Sequence, residues 1–155
     1  MLRISKMTDY GTVVMTHLAQ HPERRCSARE LAEELHIGVP TVSKILKTLE
    51  RGGLLVAQRG KNGGYTLARG PEAITVAQVI RTMEGPIALT ECASEAVQCD
   101  QEDSCTVQNN WQRINKAIMR ALEEVSLVEM NTPISVEGVH RHTLEFYREP
   151  NKAAL

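Results

Sequence analysis

Residues 27–69 of this 155-residue chain carry helix and strand signals in an order that leaves few folds open. Ser27 and Glu30 have the spacing of a capping box, in which each side chain binds a free amide at a helix start, and this helix extends to about Leu35. Pro40 suits the first turn of the next helix, where its missing N–H costs nothing. The apolar stripe of that helix is formed by Val42, Ile45, Leu46 and Leu49. Two such helices, the second with basic and hydroxyl-bearing residues on its other faces, predict a helix-turn-helix.

A hairpin signal follows the second helix directly. Strand-like segments at 54–59 and 65–69 flank a glycine-rich turn, and its glycines permit the positive φ angles of a tight hairpin. One helix over about 8–20 precedes this unit, and another over about 75–84 follows it. The sequence therefore predicts a mainly α fold, a winged helix-turn-helix with a two-stranded wing, plus a long C-terminal helix.

The C-terminal helix is predicted by apolar residues that recur at alternating steps of four and three. They are Val107, Trp111, Ile114, Ile118, Ala121, Val125 and Val128. A stripe this narrow is typical of a coiled-coil-like seam between two copies of a helix. We expect a homodimer held by Trp111, Ile114, Ile118, Ala121 and Val125, and the alternative is a helix that packs on its own domain.

Four segments follow from these patterns. We expect a winged-helix DNA-binding domain at 1–86, a cysteine-containing loop at 87–106, a dimerisation helix at 107–131 and a loose tail at 132–155.

Charge separates the two parts of the chain. Residues 1–70 carry eleven Lys and Arg against six Asp and Glu, whereas residues 71–155 carry seven against thirteen. A basic N-terminal part suits double-stranded DNA, because neutralising phosphates releases condensed counterions. In the predicted wing, Arg59, Lys61 and Arg69 are long cations able to reach phosphates or a narrow minor groove.

Three of the four cysteines lie within 14 residues, at Cys92, Cys99 and Cys105. Their Cys-x6-Cys-x5-Cys spacing on an acidic, irregular loop allows three thiolates to converge on one centre. An iron–sulfur cluster with one non-cysteine ligand fits a sensor, whereas structural zinc usually uses tighter cysteine pairs. Zinc and three free thiols stay open as alternatives. Cys26, just before the Ser27 cap, is expected to pack as a structural residue.

The fourth ligand is not another nearby cysteine. His140 and His142 lie in the expected tail, and Asp9 lies near the start of the first helix. A carboxylate can bind iron, but an acidic residue also stabilises a helix N-terminus. Chemistry alone therefore does not choose among these candidates for the fourth ligand.

Several classes of protein are disfavoured. The acidic cysteine loop offers no basic partner to lower a thiol pKa, so we expect no enzyme and no small-molecule substrate. No apolar run is long enough for a membrane span, and the N-terminus lacks a secretion signal, so we expect no membrane partner and a cytoplasmic location.

These elements together resemble the iron–sulfur winged-helix regulators of the IscR, NsrR and RirA type. The resemblance covers about residues 1–130 and is carried by the three cysteines and by SARELA at 27–32, PTVSK at 40–44 and RGKNGGY at 59–65. EGPIALTEC at 84–92 and NWQRIN at 110–115 are most similar to the proteobacterial branch that regulates the SUF cluster-assembly operon.

The resemblance implies roles for individual residues. Thr41, Ser43, Lys44 and Lys47 would enter the major groove, and Arg59 would reach the minor groove from the wing. The three cysteines would bind a [2Fe–2S] or [4Fe–4S] cluster. Gln108 departs from the IscR pattern, which has a histidine ligand there, whereas Asp9 matches the aspartate of NsrR-type proteins, supplied in a dimer by the partner subunit. The function implied is a cluster-sensing repressor of cluster-assembly genes, or a nitric oxide- or iron-responsive repressor.

Overall fold

A computed structural model of the chain describes residues 4–60, 63–93 and 105–132, apart from the side chain of Cys92. The six helices of this part are α1 (Lys6–Gln20), α2 (Ala28–Leu35), α3 (Val39–Arg51), α4 (Val76–Glu84), α5 (Gln108–Glu123) and α6 (Leu127–Asn131). The two strands are β1 (Leu55–Gln58) and β2 (Gly64–Leu67), which pair in antiparallel fashion. The predicted mainly α winged helix-turn-helix with a two-stranded wing is confirmed.

The core forms where α1, α2 and α3 meet the start of the wing. The predicted stripe of α3 is confirmed, because its four apolar side chains are fully buried there. The other buried apolar residues of this cluster are Val14, Met15, Leu18, Cys26, Leu31, Ala32, Leu54, Leu55, Ile74, Val79 and Leu127. With the stripe buried, the opposite face of α3 points to solvent, which is how a recognition helix is presented.

Local capping sets the helix starts. The capping box of Ser27 and Glu30 is present in full, and Thr75 begins α4 with a box of the same kind. The first helix begins at Lys6 rather than at Thr8, because the Ser5 hydroxyl accepts a hydrogen bond from the Thr8 amide and caps the chain earlier.

The wing turn depends on glycine. Gly60 has a φ of 113°, and a Cβ on Gly63 would lie 2.3 Å from the Gln58 carbonyl oxygen. Each strand is shorter than its sequence pattern indicated, because pairing starts at Gln58 with Gly64 and ends at Leu55 with Leu67.

The single helix expected over 107–131 is divided into two. α5 ends at Glu123, and Ser126 begins α6 with a capping box whose partner is Glu129. The Ser126 side chain therefore stabilises a new helix start, where a continuous helix would need an uninterrupted backbone ladder.

Contacts with the winged helix explain this break. The Val76 amide donates to the Val125 carbonyl oxygen at 2.9 Å, and the Leu127 amide donates to the Ile74 carbonyl oxygen at 3.0 Å. Leu127 is fully buried in the core beside α1. The chain after α5 thus returns to the DNA-binding domain, and Val125 lies between helices rather than on the seam of α5. None of the helices described in residues 4–132 has the length and apolarity that a bilayer span requires.

Candidate DNA-binding and cluster-binding sites

The exposed face of α3 is basic. Lys44, Lys47 and Arg51 are exposed and follow one another at steps of three and four, which places them on one face, opposite the buried stripe. Thr41 and Ser43 are half-buried on the flanks of this face. Sequence reasoning missed Arg51, although its spacing of four from Lys47 was the signal that could have found it.

The wing continues this basic surface. Lys47 and Arg59 line one groove between α3 and the wing turn, together with Glu50 and Gly60. A groove with one cation on the helix and one on the wing can meet two phosphates, or a base edge and a phosphate, of a duplex. Lys61, the other wing cation predicted to bind DNA, lies outside the described residues. Arg69 instead donates to the side-chain oxygen of Gln78 at 3.2 Å.

Cys26 has a structural environment. Its side chain is buried in the core, and its backbone exchanges two hydrogen bonds with Tyr65, so it extends the wing by one bridge. Burial raises the pKa of the Cys26 thiol, which keeps it protonated and a poor nucleophile or metal ligand. The structural interpretation of Cys26 agrees with this environment.

A charged cluster joins α1 to α2. Glu34 accepts hydrogen bonds from Arg24 and pairs with His17 at 2.6 Å. The bonds from Arg24 and His17 lower the pKa of the Glu34 carboxyl group. The cluster therefore links α1 and the segment after it to α2 by side-chain hydrogen bonds.

The described parts of the cysteine segment converge on α5. The backbone of Cys92 lies in a short 3-10 turn, Glu91–Ala93, which packs against α5. Cys105 is a free, half-buried thiol three residues before α5 begins. Cys99 lies outside the described residues.

Asp9, the predicted fourth ligand, lies in a groove formed by α1, α4 and α6. It is exposed in the first turn of α1 and lines a groove with Thr12, Val76, Ile80 and Met130. Among the described side chains, no three from His, Cys, Asp and Glu lie close enough together to hold a metal ion. The assignment of Asp9 as a ligand therefore stays a prediction.

Asn115 is a site residue that sequence reasoning missed. It lies on α5 with only 8% of its side chain exposed, and its carboxamide binds the backbone of Ile87 and Leu89. The available signal was its place four residues after Trp111, beside the apolar stripe. It fixes the segment that leads into Cys92 against α5.

The stripe of α5 is largely open in a single chain. Trp111 and Ile114 are 39% and 45% exposed, Ala121 is exposed and Ile118 is half-buried. An apolar face left open in this way is what a dimer seam requires, and the homodimer stays a prediction.

A winged helix with a basic recognition helix and a basic wing defines a DNA-binding protein of the transcription-regulator class. The chain belongs to the Rrf2 family, described as iron-dependent transcriptional regulators, whose family model matches residues 4–133. It is accordingly a DNA-binding transcriptional regulator and not an enzyme. The family-level part of the resemblance drawn from the sequence is confirmed.

The chain is similar to several solved structures of regulators. It is 30% identical to CymR of B. subtilis, described as a global cysteine regulator, over 84% of this chain and 97% of CymR, with a TM-score of 0.66. It is 26% identical to IscR of T. potens, over 97% of this chain and 94% of IscR, with a TM-score of 0.64. It is 25% identical to oxidized CymR of Staphylococcus aureus, over 87% of this chain and all of that chain, with a TM-score of 0.64.

Proposed function

We propose that this regulator senses an iron–sulfur cluster and that its affinity for an operator reports whether the cluster is present and intact. The observation that carries the proposal is a group of three cysteines close together in the sequence, Cys92, Cys99 and Cys105. The first lies in the turn that packs against α5, and the last lies three residues before α5 begins. This group occurs in a chain whose family is described as iron-dependent. A thiolate set of this kind suits iron–sulfur iron.

The residues fit such a group in their chemistry. Cys105 is free, and the turn that carries Cys92 packs on the helix that Cys105 precedes. The thiolates would hold a [2Fe–2S] or [4Fe–4S] cluster, which supplies a centre that oxidants or nitric oxide can alter. Asp9 would complete the ligand set from the second copy of a homodimer, as the resemblance to NsrR-type proteins implies.

The protein's own residues would carry the signal to DNA. The cysteine segment lies between α4, which packs on α3, and α5, which carries the open apolar stripe. Ordering this segment would shift the population of dimers whose two α3 helices are correctly spaced. A twofold dimer would then bind half-sites about one or two helical turns apart.

The DNA contacts would be divided between helix and wing. Lys44, Lys47 and Arg51 would follow the major groove with Thr41 and Ser43 at their flanks. Arg59 and Lys61 would reach phosphates or the minor groove from the wing. Such a regulator would act in the cytoplasm as a repressor, and the segments at 84–92 and 110–115 favour cluster-assembly genes of the SUF type as its targets.

Anaerobic purification tests the cofactor. We expect brown protein with iron and sulfide, and loss of visible absorbance in Cys92→Ala, Cys99→Ala and Cys105→Ala. Cys26→Ala, which alters a buried core thiol, should keep its colour. Colourless protein with stoichiometric zinc, or equal colour in all four variants, would overturn the cluster assignment.

Anaerobic gel shifts test the DNA interface. Cluster-loaded and apo protein should differ in affinity for the region upstream of their own operon. Lys47→Ala and Arg51→Ala should each reduce the slope of log affinity against log salt by about one if each contacts one phosphate. Arg81→Ala removes the same charge from α4, where Arg81 pairs with Glu123, and should leave the slope unchanged. Equal slopes in all three variants would show that α3 does not face the phosphates.

A further inference from the structure

Asn115 joins α5 to the segment that leads into the cysteine loop. Its Nδ2 donates to the Ile87 carbonyl oxygen at 3.3 Å, and its Oδ1 accepts from the Leu89 amide at 3.2 Å. Thr8 and Asn115 are the only buried polar residues among those the structure describes. A buried carboxamide is costly unless its groups are bonded, so these two bonds hold Asn115 and the segment together.

The Asn115 carboxamide binds a stretch of backbone that belongs to no helix or strand. Residues 86–88 are in no helix or strand, and Ile87 and Leu89 are two positions apart. A carboxamide has both donors and an acceptor, so this one side chain binds the Ile87 carbonyl oxygen and the Leu89 amide together. The segment is thereby fixed on α5 three residues before Cys92.

The other end of the same segment is fixed to α1. Glu84 accepts a hydrogen bond from the Ser5 amide at 2.7 Å. Hydrogen bonds from Thr8 and Ser5 lower the pKa of the Glu84 carboxyl group. Residues 84–89 therefore connect the first turn of α1, where Asp9 lies, to the middle of α5.

We propose that Asn115 is the positioning residue for the cysteine loop, because it fixes the backbone that leads into Cys92 against α5. In this role it also transmits a change at the cysteines to the apolar stripe of α5. The transmission rests on the proposed cluster function, whereas the positioning does not. Trp111 and Ile118 lie four residues before and three residues after Asn115. A displacement of the segment would therefore act on the centre of the stripe.

Hydrogen exchange in the apo protein tests the positioning alone. Asn115→Leu is close in volume and removes both bonds, so the Leu89 amide should exchange about tenfold faster, the effect of losing roughly one net hydrogen bond. Asn110→Leu, at an exposed position of the same helix, should leave that rate unchanged. If Asn115→Leu does not fold, Asn115→Ser takes its place, because a hydroxyl is too short to bind both groups. Unchanged Leu89 exchange in a folded Asn115 variant overturns the proposal.

Cluster lifetime tests the transmission. In anaerobically loaded protein exposed to air, the visible absorbance of Asn115→Leu should decay about tenfold faster than that of Asn110→Leu, the size of effect that outer-shell partners have on metal sites. Faster exchange with equal decay would reduce Asn115 to a structural residue and overturn the transmission. If the unsubstituted protein forms no chromophore, the cluster function fails, and Leu89 exchange still decides the positioning.

Discussion

Leu127→Ala is the most direct test of how the C-terminal part of the chain is arranged. Leu127 is fully buried in the core of the winged helix, although the sequence stripe alone placed this part of the chain on an exposed dimer seam. Truncation of a buried leucine to alanine costs about 2–5 kcal/mol, from the lost transfer free energy and the cavity left behind. Because Leu127 contacts a core shared by several helices, we expect about 3 kcal/mol in the free energy of unfolding.

Urea unfolding at a fixed protein concentration measures this loss. For an m-value of about 2 kcal/mol per molar urea, a loss of about 3 kcal/mol lowers the midpoint by about 1.5 M. Val128→Ala is the matched control, since the next side chain is 45% exposed and its truncation should change the midpoint little.

The opposite result would refute this arrangement. A continuous helix over 107–131 would place Val128 on the seam, and Val128→Ala would then weaken the dimer more than Leu127→Ala weakens the fold. Holding the concentration fixed in both variants is necessary, because dimerisation contributes to apparent stability by mass action.

Two further predictions concern the packing around the recognition helix. Gly52→Ala should lower the free energy of unfolding by about 1–3 kcal/mol, because its Cβ would lie 2.2 Å from Cγ2 of Thr82; Thr82→Ala in the same chain should restore most of the loss, and no restoration would contradict the clash. Glu34→Gln should destabilise the protein at pH 7, since it weakens the pairing with His17 and Arg24. The folded-state pKa of Glu34 is lowered, so the stabilisation is present above its unfolded pKa and is lost as pH falls through the folded value. Thermal unfolding of both proteins between pH 7 and pH 3 should therefore converge in acid, and a constant difference would rule out the ionised pairing.

Local chemistry made much of the fold predictable. Ser27 and Glu30 define the start of α2 through bonds within three residues, and Gly60 permits the wing turn through its own backbone freedom. The stripe of α3 needed only its helical period. These features depend on neighbours along the chain, so the sequence alone was enough to predict them.

The C-terminal part was harder because its apolar pattern suits two partners equally well. Leu127 and Val128 are adjacent, and the spacing of four and three residues predicted that Val128 lies on the dimer seam. In the structure, Leu127 is buried in the winged-helix core and Val128 is exposed. Only the backbone hydrogen bonds of Val125 with Val76 and of Leu127 with Ile74 decide between the two surfaces. A periodic pattern shows that a face is apolar, but it does not identify the surface that covers it.

The functional sites also depend partly on local sequence and partly on tertiary packing. The sequence by itself determined which chemical groups the sites contain. They are three clustered thiols, an excess of cations in the winged-helix domain, and a structural Cys26 beside a helix cap. Tertiary structure alone decided that Lys47 and Arg59 share a groove, and that Asn115 binds backbone 26 and 28 residues away. Residue types and short spacings specify local bonds and ligand chemistry. The meeting of distant segments depends on how the whole core packs, because only that packing determines which buried polar groups can find partners.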